Sequence, residues 1–356
     1  MMNPSLVNSR EQYKHQVRQE GDILNYVFVF ENISSLDFSD PLKAKLVIRN
    51  ESGMEKDTII ELSTLKRDSV LQFTYSINTY GLPGYNALLA FVNPRLQPEE
   101  YYTNNMLETS FFVQRDETHP VLDVVFDGVH IMDGDIVSPS PLITVTLKDE
   151  NLFLIKEDVQ GISILLRRPG KDEFEEIDLT ADPDIIYVGQ LSGTSNVFSL
   201  QYHPKKLQDG IYTLRVQAAD VSGNRSGVSP YEIRFEVINK STITYFYPYP
   251  NPFSSNTRFV FTLTGGEIPE DLKIQILTVS GKVVREITKA EIGPVRIGHN
   301  KTEYAWDGTD EFGDRLANGV YLYRVIIKNK GNSFEHRDTA GDKAFHKEFG
   351  KLYILR

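Results

Sequence analysis

Ten residues at Leu207–Val216, LQDGIYTLRV, return as LANGVYLYRV at Leu316–Val325 with residue type kept at almost every position. A weaker copy, LPGYNALLAF, lies at Leu82–Phe91. Each copy is a glycine turn followed by an alternating apolar run. That is the pattern of a half-buried strand entered where the chain needs a positive φ. Three copies so spaced predict three successive units, in blocks of roughly 110–125 residues.

The rest of the chain agrees with that expectation. Leu24, Tyr26, Phe28 and Phe30 alternate, as do Ala44, Leu46 and Ile48, then Leu71, Phe73, Tyr75 and Ile77. Further strands are expected at Tyr85–Val92, Ser110–Gln114, Val121–Phe126, Leu142–Leu147, Gly161–Arg167, Val197–Tyr202 and Tyr231–Ile238. The last block adds Thr257–Thr264, Leu272–Val279, Lys282–Ile287, Thr302–Trp306, Gly319–Lys328 and Leu352–Arg356. No convincing 3.6-residue apolar period competes with them. The fold class expected is all-β, three tandem immunoglobulin-like antiparallel β-sandwiches. Residues 1–20 read as a linker or frayed start, followed by sandwiches at 21–115, 116–240 and 241–356. The second contains an inserted loop, roughly Lys171–Thr194.

Charge and motifs narrow the chemistry. With 49 acidic against 38 basic residues the net charge is −11, which argues against nucleic acid as a partner. No run approaches the ~20 apolar residues of a membrane span. Cysteine is absent, which removes thiol nucleophiles, disulfides and thiolate metal sites. The seven histidines are scattered, and neither a Walker loop nor a G-x-S-x-G elbow is present. No catalytic residue and no organic cofactor is expected.

Calcium is the sharper possibility. In a sandwich, the segment before the first strand, the loop after the second and the loop before the last gather at one end. In the second block those places hold Asp116, Asp149, Glu150 and Asp220. Converging oxygen ligands at a junction suit that ion, while Asp, Asn and Gly are also ordinary turn formers. The acidic loop after Trp306 (Asp307, Asp310, Asp314) lacks the last acidic residue of an EF-hand and reads as turns around a core tryptophan.

At Trp306–Val325, WDGTDEFGDRLANGVYLYRV resembles the immunoglobulin-like module of flagellar hook-capping proteins and the sorting modules of type IX secretion cargo. The extended Pro250–Phe253, the strand-turn Ile276–Val284 and the basic-aliphatic Lys351–Arg356 fit the same module. The order of blocks, with Phe126–Gly134 and Lys148–Asn151 in the second, is similar to the C-terminal region of gingipain-like type IX sortases of Bacteroidota. Tyr102–Asn105 likens the first block to adhesion repeats. The family's peptidase activity resides in an upstream caspase-like domain with a cysteine nucleophile, so no catalytic residue carries over and no enzyme is expected here. The resemblance implies a secreted or outer-membrane surface location, a signal peptide belonging to the parent protein, and partners among export components or that upstream domain. A docking surface is expected at Tyr321 and Tyr323 with Lys351, Leu352, Tyr353, Ile354, Leu355 and Arg356. The alternative is an adhesin or carbohydrate-binding module that meets a surface ligand through Lys171–Thr194.

Overall fold

In a computed structural model of the protein, residues 16–190, 195–329, 332–333, 335–336 and 349–356 are described. Their regular secondary structure is almost entirely β-strand, paired for the most part antiparallel. The first unit holds β1 (Gln16–Gln19), β2 (Ile23–Glu31), β3 (Lys43–Asn50), β4 (Glu55–Glu61), β5 (Val70–Asn78), β6 (Gly84–Val92) and β7 (Met106–Gln114). Its main sheet runs β1-β7-β6-β3-β4, and the hairpin-like pair β2-β5 covers one face. Leu24, Tyr26, Phe28 and Phe30 all point inward from β2, as a two-residue period requires when one face is buried.

The second unit holds β8 (Val121–Phe126), β9 (Asp135–Val137), β10 (Ile143–Asp149), β11 (Ser163–Arg167), β12 (Glu175–Glu176), β13 (Ile185–Gln190), β14 (Asn196–Tyr202), β15 (Gly210–Gln217) and β16 (Tyr231–Val237). They form sheets β13-β14-β10-β8 and β12-β11-β15-β16-β9. The third holds β17 (Thr242–Tyr249), β18 (Arg258–Leu263), β19 (Asp271–Thr278), β20 (Val283–Ile287), the short α1 (Lys289–Ile292), β21 (Gly298–Lys301), β22 (Gly319–Asn329), β23 (Asn332–Ser333), β24 (Glu335–His336) and β25 (Gly350–Ile354). Its sheets are β21-β18-β17-β24 and β20-β19-β22, with β22 flanked further by β23 and β25. Buried apolar side chains fall into three clusters, spanning Leu24–Val113, Val124–Val237 and Ile243–Ile354. Each buried Leu or Phe contributes on the order of 2 kcal/mol through lost apolar hydration.

The repeat has a structural reason. Its copies become β6, β15 and β22, each lying inside its sheet between two partners. Gly84, Gly210 and Gly319 all have positive φ. The residue two beyond each glycine then bonds back to the carbonyl four positions before it. Tyr212 donates to Gln208 O at 3.1 Å, Tyr321 to Ala317 O at 2.9 Å, and Asn86 to Leu82 O at 2.8 Å. A side-chain donor thus pins the turn before the central strand, the logic of a tyrosine corner.

Four expectations need correction. Residues 16–19 of the expected linker are strand β1, paired parallel with β7; residues 1–15 lie outside the described part. The inserted stretch is not one loop: β12 extends one sheet beside β11, and β13 forms the edge of the other beside β14, while residues 191–194 are not described. Thr302–Trp306 makes only the isolated bridge Thr257↔Trp306, and the strand there is β21, just before it. β4 (Glu55–Glu61) has no inward apolar row and lies at a sheet edge, so periodicity did not mark it.

The units meet closely. Leu154, buried, lies against the backbone of Gly21, where an added Cβ would fall 2.6 Å from its Cδ2. At the second meeting point a Cβ on Gly298 would fall 2.5 Å from Ile136 O, and Gly265 N–H donates to Ile238 O at 2.9 Å. Both Gly21 and Gly298 have positive φ, so they serve the turn and the close approach together. No described helix is long and apolar enough to cross a membrane.

Candidate functional site

The first meeting point gathers the expected carboxylates. Asp116 lies in the crossing from β7 to β8, Asp149 ends β10, and Asp220 follows β15. One oxygen from each lies within 4.8 Å of the others. Asp149 and Asp220 are buried and Asp116 is half-buried.

Amide side chains hold the group together. Asn151 Nδ2 donates to Asp116 Oδ2 at 3.0 Å and to Glu20 O, in the first unit, at 3.3 Å. Asn224 donates its backbone N–H and its Nδ2 to Asp220 at 2.8 Å each, and Nδ2 also to Asp116 O at 3.1 Å. Ser222 Oγ donates to Asp116 Oδ2 at 3.2 Å. Asn196, buried on β14, donates to Asn151 O at 2.8 Å, Leu154 O at 2.9 Å and Asp149 Oδ2 at 3.4 Å. The β10–β14 register pairs Asp149 with Asn196 directly.

Electrostatics mark the cluster as strained in charge. Burial pushes the Asp149 carboxyl up to about 6, and the charges of Asp116, Asp220 and Glu150 push the same way against a hydrogen bond from the Asn151 backbone. Burial lowers the neighbouring Lys156 ammonium, opposed by attraction to Asp158 and Asp220. Three convergent carboxylates are hard oxygen donors of the type a divalent cation such as calcium takes. Asn151 and Asn224 present N–H rather than oxygen to them, so the three carboxylates are the groups that could hold such a cation while the amides serve as hydrogen-bond donors.

Glu150 does not join them. It is exposed, and a hydrogen bond from the Thr118 side chain, more than any other influence, holds its carboxyl below the usual range. Side-chain alternation explains this, since consecutive residues leave a strand end on opposite sides. Asn196 went unmarked by sequence reasoning. It is the first residue of β14, and only the β10–β14 register brings it opposite Asp149.

The expected docking strand is placed differently from the expectation. Tyr323, Leu352 and Ile354 are fully buried and Tyr321 nearly so, so these four cannot offer side chains to a partner. β25 pairs with β22 on one side. Its other edge is covered: Phe253 N–H donates to Tyr353 O at 3.1 Å, Leu355 N–H to Phe253 O at 2.9 Å, and Tyr353 N–H to Asn251 Oδ1 at 2.9 Å. Arg356 donates to the carbonyls of Leu316, Gly308 and Asp307, and Asn318 clamps its backbone with two bonds of 3.0 Å. Lys351, Tyr353, Leu355 and Arg356 remain at the surface. Trp306 is completely buried, its ring 5.5 Å from that of Phe253 and its Nε1 donating to Thr309 O at 2.9 Å. The Asp307 and Asp310 carboxylates accept local N–H groups of their own turns, at Thr309 for the first and at Phe312 and Asp314 for the second.

No protein-family profile matches the chain, and no curated protein matches it in sequence. Among solved structures, dimeric latent PorU from Porphyromonas gingivalis aligns over 96% of this chain and 32% of its own, at 14% identity and TM-score 0.27. A Bacteroides ovatus mixed-linkage glucan utilization locus protein, SGBP-B, in complex with a mixed-linkage heptasaccharide, aligns over 100% of this chain and 69% of its own, at 15% identity and TM-score 0.25. The chain spans about a third of the first and two thirds of the second. Alignments this loose carry no function across.

Proposed function

We propose that this chain is a non-catalytic segment of a secreted or outer-membrane surface protein of the type IX pathway. The first two sandwiches act as a spacer, and the third serves export and surface attachment. One observation carries the reading: the three separated motifs of the third unit converge in space. Phe253 of the Pro250–Phe253 motif packs on Trp306 of the WDG loop and bridges to Ile354 of the last strand, whose Arg356 binds the carbonyls of Asp307 and Gly308. Motifs that assemble into one locked corner behave as one recognition module.

A partner would read the surface of that corner, Lys351, Tyr353, Leu355 and Arg356, because the strand edge beneath is already hydrogen-bonded. Its partners are export components or the upstream domain of the parent protein. Calcium at Asp116, Asp149 and Asp220 would neutralise carboxylates that now repel one another and would fix the first junction. In a Bacteroidota host, residues 241–356 fused to a periplasmic reporter should carry it to the cell surface or the medium. Retention of the reporter in the periplasm defeats the export role.

A further inference from the structure

A cleft at the far tip of the first unit has a volume of about 680 Å³. That is within the range of roughly 300–1,000 Å³ typical of small-molecule sites. It lies between the β2–β3 connection and the β6–β7 connection. β2 starts beside Gly21 at the junction and ends at the cleft, so its nine residues place the two roughly 30 Å apart. The spacer therefore presents this cleft at its end.

The lining combines an apolar shelf with polar acceptors. Leu36, Leu96 and Tyr101 are 74%, 58% and 66% exposed and all face the cleft. Large apolar groups so open and so close together mark a contact surface. The side-chain oxygen of Asn104 is buried at the lining with no hydrogen-bond partner among the described residues. Such an atom costs free energy unless something supplies a proton donor. No lysine or arginine lines the cleft, so nothing there would hold an anion.

A cationic ligand is less well served than the acidic lining suggests. Asp37 Oδ1 accepts the Arg67 N–H at 2.8 Å, and both Glu99 oxygens accept Asn105 Nδ2 at 2.9 Å. Those carboxylates already build the two connections. What remains is a flat aromatic face, aliphatic side chains, hydroxyl and amide groups, and the carboxylates of Asp40 and Glu100, which can accept hydrogen bonds from sugar hydroxyls. The geometry points to a binding site for a neutral carbohydrate chain, with one sugar ring lying on Tyr101 and hydroxyls donating to Asn104 and to Asp40.

Calorimetric titration of the full chain with cellohexaose, xylohexaose and mannohexaose tests this, with hexalysine run in parallel. At least one hexasaccharide should bind. Tyr101→Ala should weaken it about tenfold, the loss of one good aromatic contact, with no change in thermal unfolding because the side chain is exposed. Asn104→Ala should weaken it too. Absence of saccharide binding, binding of hexalysine alone, or a saccharide affinity unmoved by Tyr101→Ala overturns the assignment. None of these outcomes depends on whether the third unit is exported.

Discussion

Replacing Asp149 by asparagine should stabilise the second sandwich when divalent cations are chelated. The substitution keeps the shape and one acceptor for the Asn151 N–H, and it removes a buried charge that faces Asp116 and Asp220. Asn196 keeps Asn151 O and Leu154 O as acceptors, so no donor is orphaned. The carboxyl is held near 6 in the fold against an ordinary 3.8. The folded state therefore binds the extra proton across that interval, and stability from this group falls as pH rises from about 4 to 6. An interval of that width corresponds to at most about 3 kcal/mol above pH 6. At roughly 2–4 °C per kcal/mol, that is up to about 12 °C in the second sandwich's transition. Scanning calorimetry in chelator at pH 7.5 and pH 4 reads it. Asp149→Asn should lie above the parent at pH 7.5 and close to it at pH 4. Equal stability at pH 7.5, or the same gap at both pH values, refutes the electrostatic account.

Other consequences follow from neighbouring parts. Millimolar calcium should raise that transition in the parent and raise it much less in Asp149→Asn, since binding to the folded state alone adds stability by mass action; equal shifts in both would remove the cation from Asp149. Tyr212→Phe and Tyr321→Phe should each cost about 1 kcal/mol by losing the bond to Gln208 O or Ala317 O, read as a lower denaturant midpoint with unchanged slope. Phe253→Ala should cost about 3–5 kcal/mol, because it opens a cavity between Trp306 and the last strand, and the Trp306 fluorescence maximum should shift to the red. Gly298→Ala should disturb the second junction rather than either core, since its Cβ would strike Ile136 O; small-angle scattering should show a changed inter-unit arrangement with little loss of circular dichroism.

Many strands with one buried face were legible, though β17 and β21, which also alternate, were not. Leu24–Phe30 and Tyr321–Ile327 alternate because their partners alternate with them. β4 and β12 were not legible, because an edge strand with polar residues on both faces leaves no period to read. The repeat revealed the central strand of each unit, and the side-chain donor after its glycine became apparent only in three dimensions. At the junction, Asp116, Asp149 and Asp220 could be predicted from loop order in a sandwich. Asn196 and the exclusion of Glu150 depend on register and strand-end geometry, which spacing does not encode. The last strand misled for a related reason. It is exposed at alternate positions and basic at its two ends, Lys351 and Arg356, and nothing in it says that Asn251–Phe253 already occupies its edge.

The central claim is that the locked corner of the third sandwich directs type IX export. Its most direct measurement is the surface exposure of a reporter fused to residues 241–356, compared between a Bacteroidota host with an intact type IX translocon and one lacking it. Surface or extracellular reporter only in the intact host is the predicted result. Reporter at the surface of both hosts, or of neither, contradicts the claim.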